Sequence, residues 1–243
     1  MPRALEVYST VSAARQREAV MKKFAVALLR ILGYLAIVVF PLFLGWGVDD
    51  LRGFLRDPAR TGYVCLGLLG VAALLIPRLN IQPFKRGSQV VGRELFRAMM
   101  VSSFLLTLFL PFADRRGFVT FQDWEVLRGT GLALVVLGTV VRVMGLWSLG
   151  KQFSSYVTLQ ENHQLVQTGL YKHIRHPMYL GVLIVMAGMP LIFRSRLVIP
   201  VTILTLAFVW VRIRQEERLL AEHFGSEFES YRRQTWRLLP HIY

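Results

Sequence analysis

Apolar residues occur in long runs along most of this 243-residue chain, and short polar or charged stretches separate the runs. Each run approaches the roughly 20 apolar residues that a helix needs to cross the hydrocarbon core of a bilayer. The pattern predicts an all-α fold, a polytopic membrane bundle of about six helices, with five or seven as alternatives. The expected spans are 24–46, 62–77, 98–112, 128–149, 177–193 and 197–211.

Polar segments complete this organisation. The sixth run continues without a break into RIRQEERLLAEHF, so we expect its helix to leave the membrane and to stop at Gly225. The stretch 226–243 is basic and amphipathic, which favours a position on the membrane surface. Segments 49–60 and 114–125 are expected to be polar loops.

The composition supports a bilayer environment. Hydrophobic residues make up 54% of the chain and the mean hydropathy is +0.45, which is too apolar for an ordinary soluble domain. The net charge of +14 would suggest nucleic acid in a soluble protein. Here the cations lie between apolar runs, so membrane lipids are the expected partners and nucleic acid is not. The single cysteine, Cys65, excludes an intrachain disulfide.

Charge asymmetry predicts the orientation. With six spans, the side that holds both termini carries more than twice as many Lys and Arg residues as the other side. The positive-inside rule therefore places both termini in the cytoplasm. No cleavable signal peptide is predicted. We divide the chain into a basic, amphipathic N-terminal segment (1–23), transmembrane helices 1–4 (24–150) and a catalytic region (151–243) with helices 5–6 and cytoplasmic cofactor-binding loops.

Glycines recur every seven residues in two of the predicted spans. Gly131, Gly138 and Gly145 would share one face of the fourth helix, and Gly181 and Gly188 one face of the fifth. Small residues on one face let membrane helices approach closely. The spacing therefore predicts a close helix–helix contact.

The segment 163–181, HQLVQTGLYKHIRHPMYLG, is a polar loop that runs into an apolar helix. A residue before proline disfavours helical geometry and proline suits the first helical turn, so His176 should end the loop and Pro177 should begin the helix. Helix N-terminal amides favour anionic or polar ligands. A juxtamembrane loop with snorkelling cations and interfacial tyrosines is the simpler alternative.

Charged residues in two other helices are further candidates. Arg212 and Glu216 are four residues apart and share a helix face, with Glu217 on the adjacent one. They could hold a zwitterionic ligand, or form only a surface ion pair. Arg142 lies inside the fourth span, where an arginine normally faces protein or a wet cavity unless it snorkels outward.

Three motifs in a fixed order resemble the isoprenylcysteine carboxyl methyltransferase family, which is related to the membrane phospholipid methyltransferases. They are H-x-L-V-x-x-G-x-Y-x-x-x-R-H-P-x-Y-x-G, then R-x-x-x-E-E, then F-G-x-x-[FY]-x-x-Y, and the resemblance covers about 153–235. The residues that carry it are His163, Leu165, Val166, Gly169, Tyr171, Arg175, His176, Pro177, Tyr179, Gly181, Arg212, Glu216, Glu217, Phe224, Gly225, Phe228 and Tyr231.

The resemblance implies S-adenosyl-L-methionine as cofactor and S-adenosyl-L-homocysteine as product, bound without a Rossmann domain. Catalytic roles would fall to Arg212 and Glu216, and acceptor binding to Arg212. Arg142 is a further candidate for acceptor binding because it lies inside the fourth span. The implied cofactor-binding residues are Gln160, His163, Gln164, Leu165, Val166, Gly169, Tyr171, His176, Pro177, Met178, Tyr179, Glu216 and Glu217. No metal is expected, because the five histidines lack a metal-ligand spacing.

The implied function is an integral-membrane methyltransferase acting at the cytoplasmic face on the carboxylate of an isoprenylcysteine-like acceptor that enters from the bilayer. A phospholipid amine or a small thiol is an alternative acceptor. A sterol-type NADPH-dependent reductase shares the R-H-P-x-Y-x-G loop, but usually has Asn where this chain has Met178 and an acidic residue where it has Val182. A non-enzymatic membrane protein of the same fold is the last alternative. The oligomeric state stays open.

Overall fold

The computed structural model describes residues 35–73, 92–122, 125–153 and 164–240, with scattered positions between 18 and 33. The predicted N-terminal segment 1–23, the start of the first span and the basic loop before residue 92 lie largely or wholly outside the described residues. Gln160 and His163, two of the predicted cofactor-binding residues, also lie outside them.

Helices make up most of the described chain, and within it no β-strand forms. A π-helical turn, Leu35–Val39, leads into α1, and 3-10 turns cover Val48–Asp50, Gly150–Gln152 and Gly169–Lys172. The α-helices are α1 (Phe40–Trp46), α2 (Leu51–Leu55), α3 (Pro58–Ala73), α4 (Arg93–Arg116), α5 (Glu125–Leu149), α6 (Pro177–Ile192), α7 (Val198–Phe224) and α8 (Ser226–Gln234).

Three helices, α4, α5 and α7, are long and apolar enough to cross a membrane. Only 17%, 17% and 28% of their most apolar windows are buried, so their apolar surfaces face outward, as in a protein surrounded by lipid. The helices before and after Gly47 meet at 82° and could form a fourth, broken span; α6 is apolar but shorter. The predicted all-α, multi-pass membrane bundle is confirmed, while the number of six spans stays a prediction.

The predicted glycine contact joins α5 to α6, which run antiparallel. A Cβ atom on Gly138 would lie 2.7 Å from the carbonyl oxygen of Gly181, and one on Gly181 would lie 2.6 Å from that of Gly138. Gly131 and Gly188 face each other in the same way. Neither backbone has room for a methyl group at these positions, so the glycines set the distance between the two helices.

Replacing Gly138 by leucine should therefore force α5 and α6 apart and lower the melting temperature in detergent. Gly129→Leu is the matched control, since it changes the same helix where a Cβ atom would meet nothing within 4 Å. Equal melting temperatures for the two variants would show that the contact between Gly138 and Gly181 does not limit stability.

Segment 49–60, expected as a polar loop, is mostly helical, so that prediction was wrong. The Asp50 carboxylate caps α2 by accepting from the Gly53 amide at 2.9 Å, and Pro58 begins α3. The decisive residue is Phe54, which is fully buried among rings and packs against Trp46 and Phe193 with centroids 5.6 and 6.4 Å away. Burial of this aromatic side chain offsets the cost of ordering a polar segment.

The third predicted span ends later than expected, and Asp114 is not a loop residue. It lies in the last turn of α4, and its side chain is fully buried. The Asp114 carboxylate accepts hydrogen bonds from Arg60, Arg128 and Arg194 at 2.8–3.1 Å. Three arginines that are far apart in the sequence are thus brought to one buried carboxylate, which joins α3, α4, α5 and the turn after α6.

The C-terminal part combines a confirmed prediction and a wrong one. Helix α7 continues to Phe224 and ends at Gly225, as predicted. The following stretch does not simply lie on a surface, because Phe228, Tyr231 and Leu238 are buried. Leu238 packs with Val209 and Ile213 of α7 and against α6. The amphipathic pattern therefore buries its apolar face against protein.

Candidate functional site

A turn that precedes α6 forms the base of the site. As predicted, His176 ends this turn and Pro177 occupies the first position of the helix. The 3-10 turn Gly169–Lys172 before it buries the side chain of Tyr171. Burial, with the negative charge of Glu216 as the second cause, raises the pKa of Tyr171 above its ordinary value, so its hydroxyl is neutral.

Three polar side chains meet where α6 begins. The Tyr179 hydroxyl donates to Glu216 Oε2 at 2.7 Å and accepts from Arg212 Nε at 2.8 Å. Arg212 and Glu216 lie on one face of α7, as their spacing predicts, and Tyr179 comes from the facing helix. The hydroxyl links the Arg212 guanidinium to the Glu216 carboxylate at the junction of α6 and α7. This pair of opposite charges suits a zwitterionic ligand.

Aromatic rings from two helices surround Arg212. Its guanidinium carbon lies 5.3 Å from the ring centre of Phe96 on α4 and 5.9 Å from that of Tyr179. Arg212 is buried, and rings at these distances stabilise a desolvated guanidinium. Sequence reasoning missed Phe96, because a lone phenylalanine at the start of an apolar helix gives no signal.

Glu217 faces a different set of partners from Glu216. Its Oε1 accepts from Arg175 Nε at 2.9 Å and lies 3.3 Å from His176 Nε2, while its Oε2 accepts from Arg237 Nε at 2.9 Å. Both carboxylate oxygens are therefore used by the protein itself. This arrangement favours a role in holding the turn before α6, whereas the predicted direct contact of Glu217 with a cofactor stays untested.

The other predicted residues lie around this junction. Arg142 on α5 is exposed, and its Cγ atom occupies the space that a Cβ atom on Gly181 would need. The Cγ atom of Met178 likewise occupies the space that a Cβ atom on Gly145 of α5 would need. Both residues therefore lie along the α5–α6 contact: Met178 is next to Tyr179 in the chain, and Arg142 packs against Gly181, two residues after Tyr179.

The segment 164–167, before the 3-10 turn, has no regular secondary structure. Gln164 is exposed, while Leu165 and Val166 are half-buried and Gly169 has a φ of +60°, a conformation that favours glycine. Among the described residues, no three His, Cys, Asp or Glu side chains are grouped in a way that could hold a metal ion.

Known proteins match the part of the chain that contains this junction. The isoprenylcysteine carboxyl methyltransferase family model matches residues 131–222. The probable protein-S-isoprenylcysteine O-methyltransferase of Oryza sativa subsp. indica is 29% identical over 128 residues, 51% of this chain and 67% of the relative. The Saccharomyces cerevisiae protein-S-isoprenylcysteine O-methyltransferase is 35% identical over 115 residues, 46% of this chain and 48% of the relative. Through this region the chain resembles the isoprenylcysteine carboxyl methyltransferase family.

A likeness in fold to one solved structure extends over most of the chain. The structure of a eukaryotic intramembrane Ras methyltransferase, an isoprenylcysteine carboxyl methyltransferase, superposes with a TM-score of 0.56, covering 92% of this chain and 86% of that one. The sequence identity is 23%, so this likeness concerns the fold. It includes helices before residue 131, where the match to the family model begins.

The region that matches the family contains Arg175, Tyr179, Arg212, Glu216 and Glu217. Several other residues of the site lie outside the region that matches the family model: Phe96, Tyr231, Thr235, Trp236 and Arg237. The sequence RRQTWRLLP at residues 232–240 has the pattern of a basic tail. Only the fold shows that residues of this segment contact the site. The family motif could have indicated Tyr231, but no pattern in the sequence pointed to Arg237.

Proposed function

We propose that this chain is an integral-membrane methyltransferase that uses S-adenosyl-L-methionine to methylate the carboxylate of an isoprenylcysteine-like lipophilic acceptor. The observation that carries the proposal is the junction of Arg212, Tyr179 and Glu216, which lies within the region that matches the family.

The residues present fit S-adenosyl-L-methionine by their chemistry. Its amino acid end carries an ammonium and a carboxylate; the half-buried Glu216 can accept from the former. The positive end of the α6 helix dipole suits the latter. We assign His163, Gln164, Leu165 and Val166 to the adenosine end and Gln160 to a further cofactor contact. The remaining wall is assigned to Tyr171, His176, Pro177, Met178 and Tyr179. When bound, the cofactor supplies an electrophilic methyl group on its sulfonium sulfur.

Arg212 has the properties required to orient an acceptor carboxylate. A carboxylate is ionised and nucleophilic at neutral pH, so transfer of a methyl group to its oxygen needs no general base. It needs alignment of the reacting atoms and exclusion of water. The guanidinium of Arg212 is buried between two rings and held through Nε by Tyr179, so its orientation is fixed. A fixed guanidinium can present its planar edge to a carboxylate.

A lipophilic acceptor would reach this arginine from the bilayer. Val211, next to Arg212, and Met100, one turn after Phe96 on α4, are 44% and 42% exposed. An apolar chain lying against this surface would place its carboxylate beside Arg212. We infer from the distribution of Lys and Arg that this end of the bundle, and both termini, face the cytoplasm.

Purified protein in detergent should bind S-adenosyl-L-homocysteine and should not bind NADPH, because the carboxylate of Glu216 fits the ammonium of the former. Isothermal titration calorimetry with both ligands is the measurement. Tight binding of NADPH with no response to S-adenosyl-L-homocysteine would contradict the proposal in favour of a reductase.

The acceptor class is tested separately with methyl-labelled S-adenosyl-L-methionine supplied to membranes with and without the protein. Mass spectrometry should find the label in base-labile methyl esters of a prenylated cysteine derivative. Label in phospholipid amines or thioethers instead would keep the methyltransferase and exclude the carboxylate as its acceptor.

A further inference from the structure

The C-terminal arm, which we define as residues 226–240, returns to the turn before α6 and pairs with it through backbone hydrogen bonds. The Arg175 amide donates to the Trp236 carbonyl at 2.7 Å, and the His176 amide donates to the Arg237 carbonyl at 3.0 Å. The Trp236 amide donates to the His173 carbonyl at 3.0 Å. The arm therefore fixes the backbone of the residues that lead into Pro177.

Side chains strengthen this pairing. Tyr231 donates from its hydroxyl to the Tyr171 carbonyl at 2.8 Å, and its ring is buried. Arg175 donates from Nη1 to the carbonyls of Arg232 and Thr235. Buried hydrogen bonds to a guanidinium are costly to break, because the charge then stays buried without partners. The arm is consequently part of the structure of the turn.

Arg237 completes the link through Glu217. Its Nε and Nη2 atoms lie 2.9 and 2.8 Å from Glu217 Oε2, while Glu217 Oε1 contacts Arg175 and His176. His176 in turn lies with its ring centre 5.6 Å from that of Tyr179. One buried carboxylate thus connects the arm to the residue that ends the turn.

We propose that Arg237 is a positioning residue, which orients the turn at 173–179 through Glu217 so that it can hold the methyl donor. This inference rests on the proposed function. Arg237 itself need not touch a ligand, since it holds Glu217 Oε2 while Arg175 holds Oε1, and the two together orient the carboxylate toward His176. Both Arg237 nitrogens contact the same oxygen, Glu217 Oε2, and a planar guanidinium holds that oxygen more firmly than a point charge does.

The test compares full-length Arg237→Gln with Arg233→Gln, a matched change of an exposed arginine in the same arm. We expect Arg237→Gln to weaken binding of S-adenosyl-L-homocysteine roughly tenfold, the effect of losing a charge-assisted hydrogen bond. With S-adenosyl-L-methionine as the varied substrate, KM should rise while kcat at saturation stays within about twofold. Arg237→Lys should recover part of the affinity.

Hydrogen–deuterium exchange provides a readout that needs no ligand. The amides of Arg175 and His176 should exchange faster in Arg237→Gln than in Arg233→Gln, while exchange within α5 stays equal. If wild-type protein binds S-adenosyl-L-homocysteine and Arg237→Gln binds it equally well, the positioning role is overturned and the proposed function is not. If wild-type protein does not bind it at all, the proposed function fails and this role fails with it.

Discussion

Replacing Arg212 by alanine is expected to lower the rate of methyl transfer roughly tenfold or more, since a charge-assisted hydrogen bond contributes about 1.5–3 kcal/mol. Binding of S-adenosyl-L-homocysteine should stay within a few-fold of wild type, because we assign the acceptor to Arg212 and the cofactor to Glu216. Arg212→Lys should restore little, because an ammonium cannot reproduce the planar guanidinium held by Phe96 and Tyr179. Rates with a prenylated cysteine acceptor and calorimetry provide both quantities.

Three further variants make this division of roles testable. Glu216→Ala should weaken cofactor binding, and Tyr179→Phe should impair both functions, because the Tyr179 hydroxyl contacts both residues. Arg218→Ala, an exposed arginine on the same helix, is the control and should change neither. Equal loss of cofactor binding in Arg212→Ala and Glu216→Ala would place Arg212 in the cofactor pocket. Normal binding and activity in both variants would reduce the pair to a structural contact.

Replacing Asp114 by asparagine is expected to destabilise the protein by about 3–5 kcal/mol, the usual cost of removing one partner from a buried ion pair. The carboxylate has no exposed surface and faces Arg60, Arg128 and Arg194, so its loss leaves buried guanidiniums with too few acceptors. For a protein of this size the apparent melting temperature should fall by roughly 10 °C. Thermal unfolding in detergent is the measurement.

Asp49→Asn is the control for this change. Asp49 also pairs with an arginine, Arg115, but its side chain is 69% exposed, so the pairing contributes little and the melting temperature should barely move. The Asp114 cluster lies at the end of α5 and α6 opposite to Tyr179, as Arg128 also donates to the Ile192 carbonyl at 2.7 Å. Asp114→Asn should therefore leave the affinity of the folded protein for S-adenosyl-L-homocysteine unchanged. Equal melting temperatures for the two variants would show that the arginines of the cluster do not depend on Asp114.

The sequence alone determined the features that follow from local spacing. Runs of apolar residues indicated membrane helices, and glycines seven residues apart indicated the face that α5 presents to α6. The order His-Pro placed the start of α6 at Pro177, because the steric limits of proline act on its immediate neighbours. The separation of Arg212 and Glu216 placed both on one face of α7, since helical periodicity is itself a local property.

Contacts between distant segments were decided by the tertiary structure. No feature of the neighbouring sequence distinguishes Asp114 from the other charged residues beside it. Its burial depends on arginines that come from three separate parts of the chain. Phe96 reaches Arg212, and Arg237 reaches Glu217, only because α4 and the C-terminal arm pack against α7. The energy of such contacts depends on which surfaces become buried together, and a single sequence does not specify that pairing.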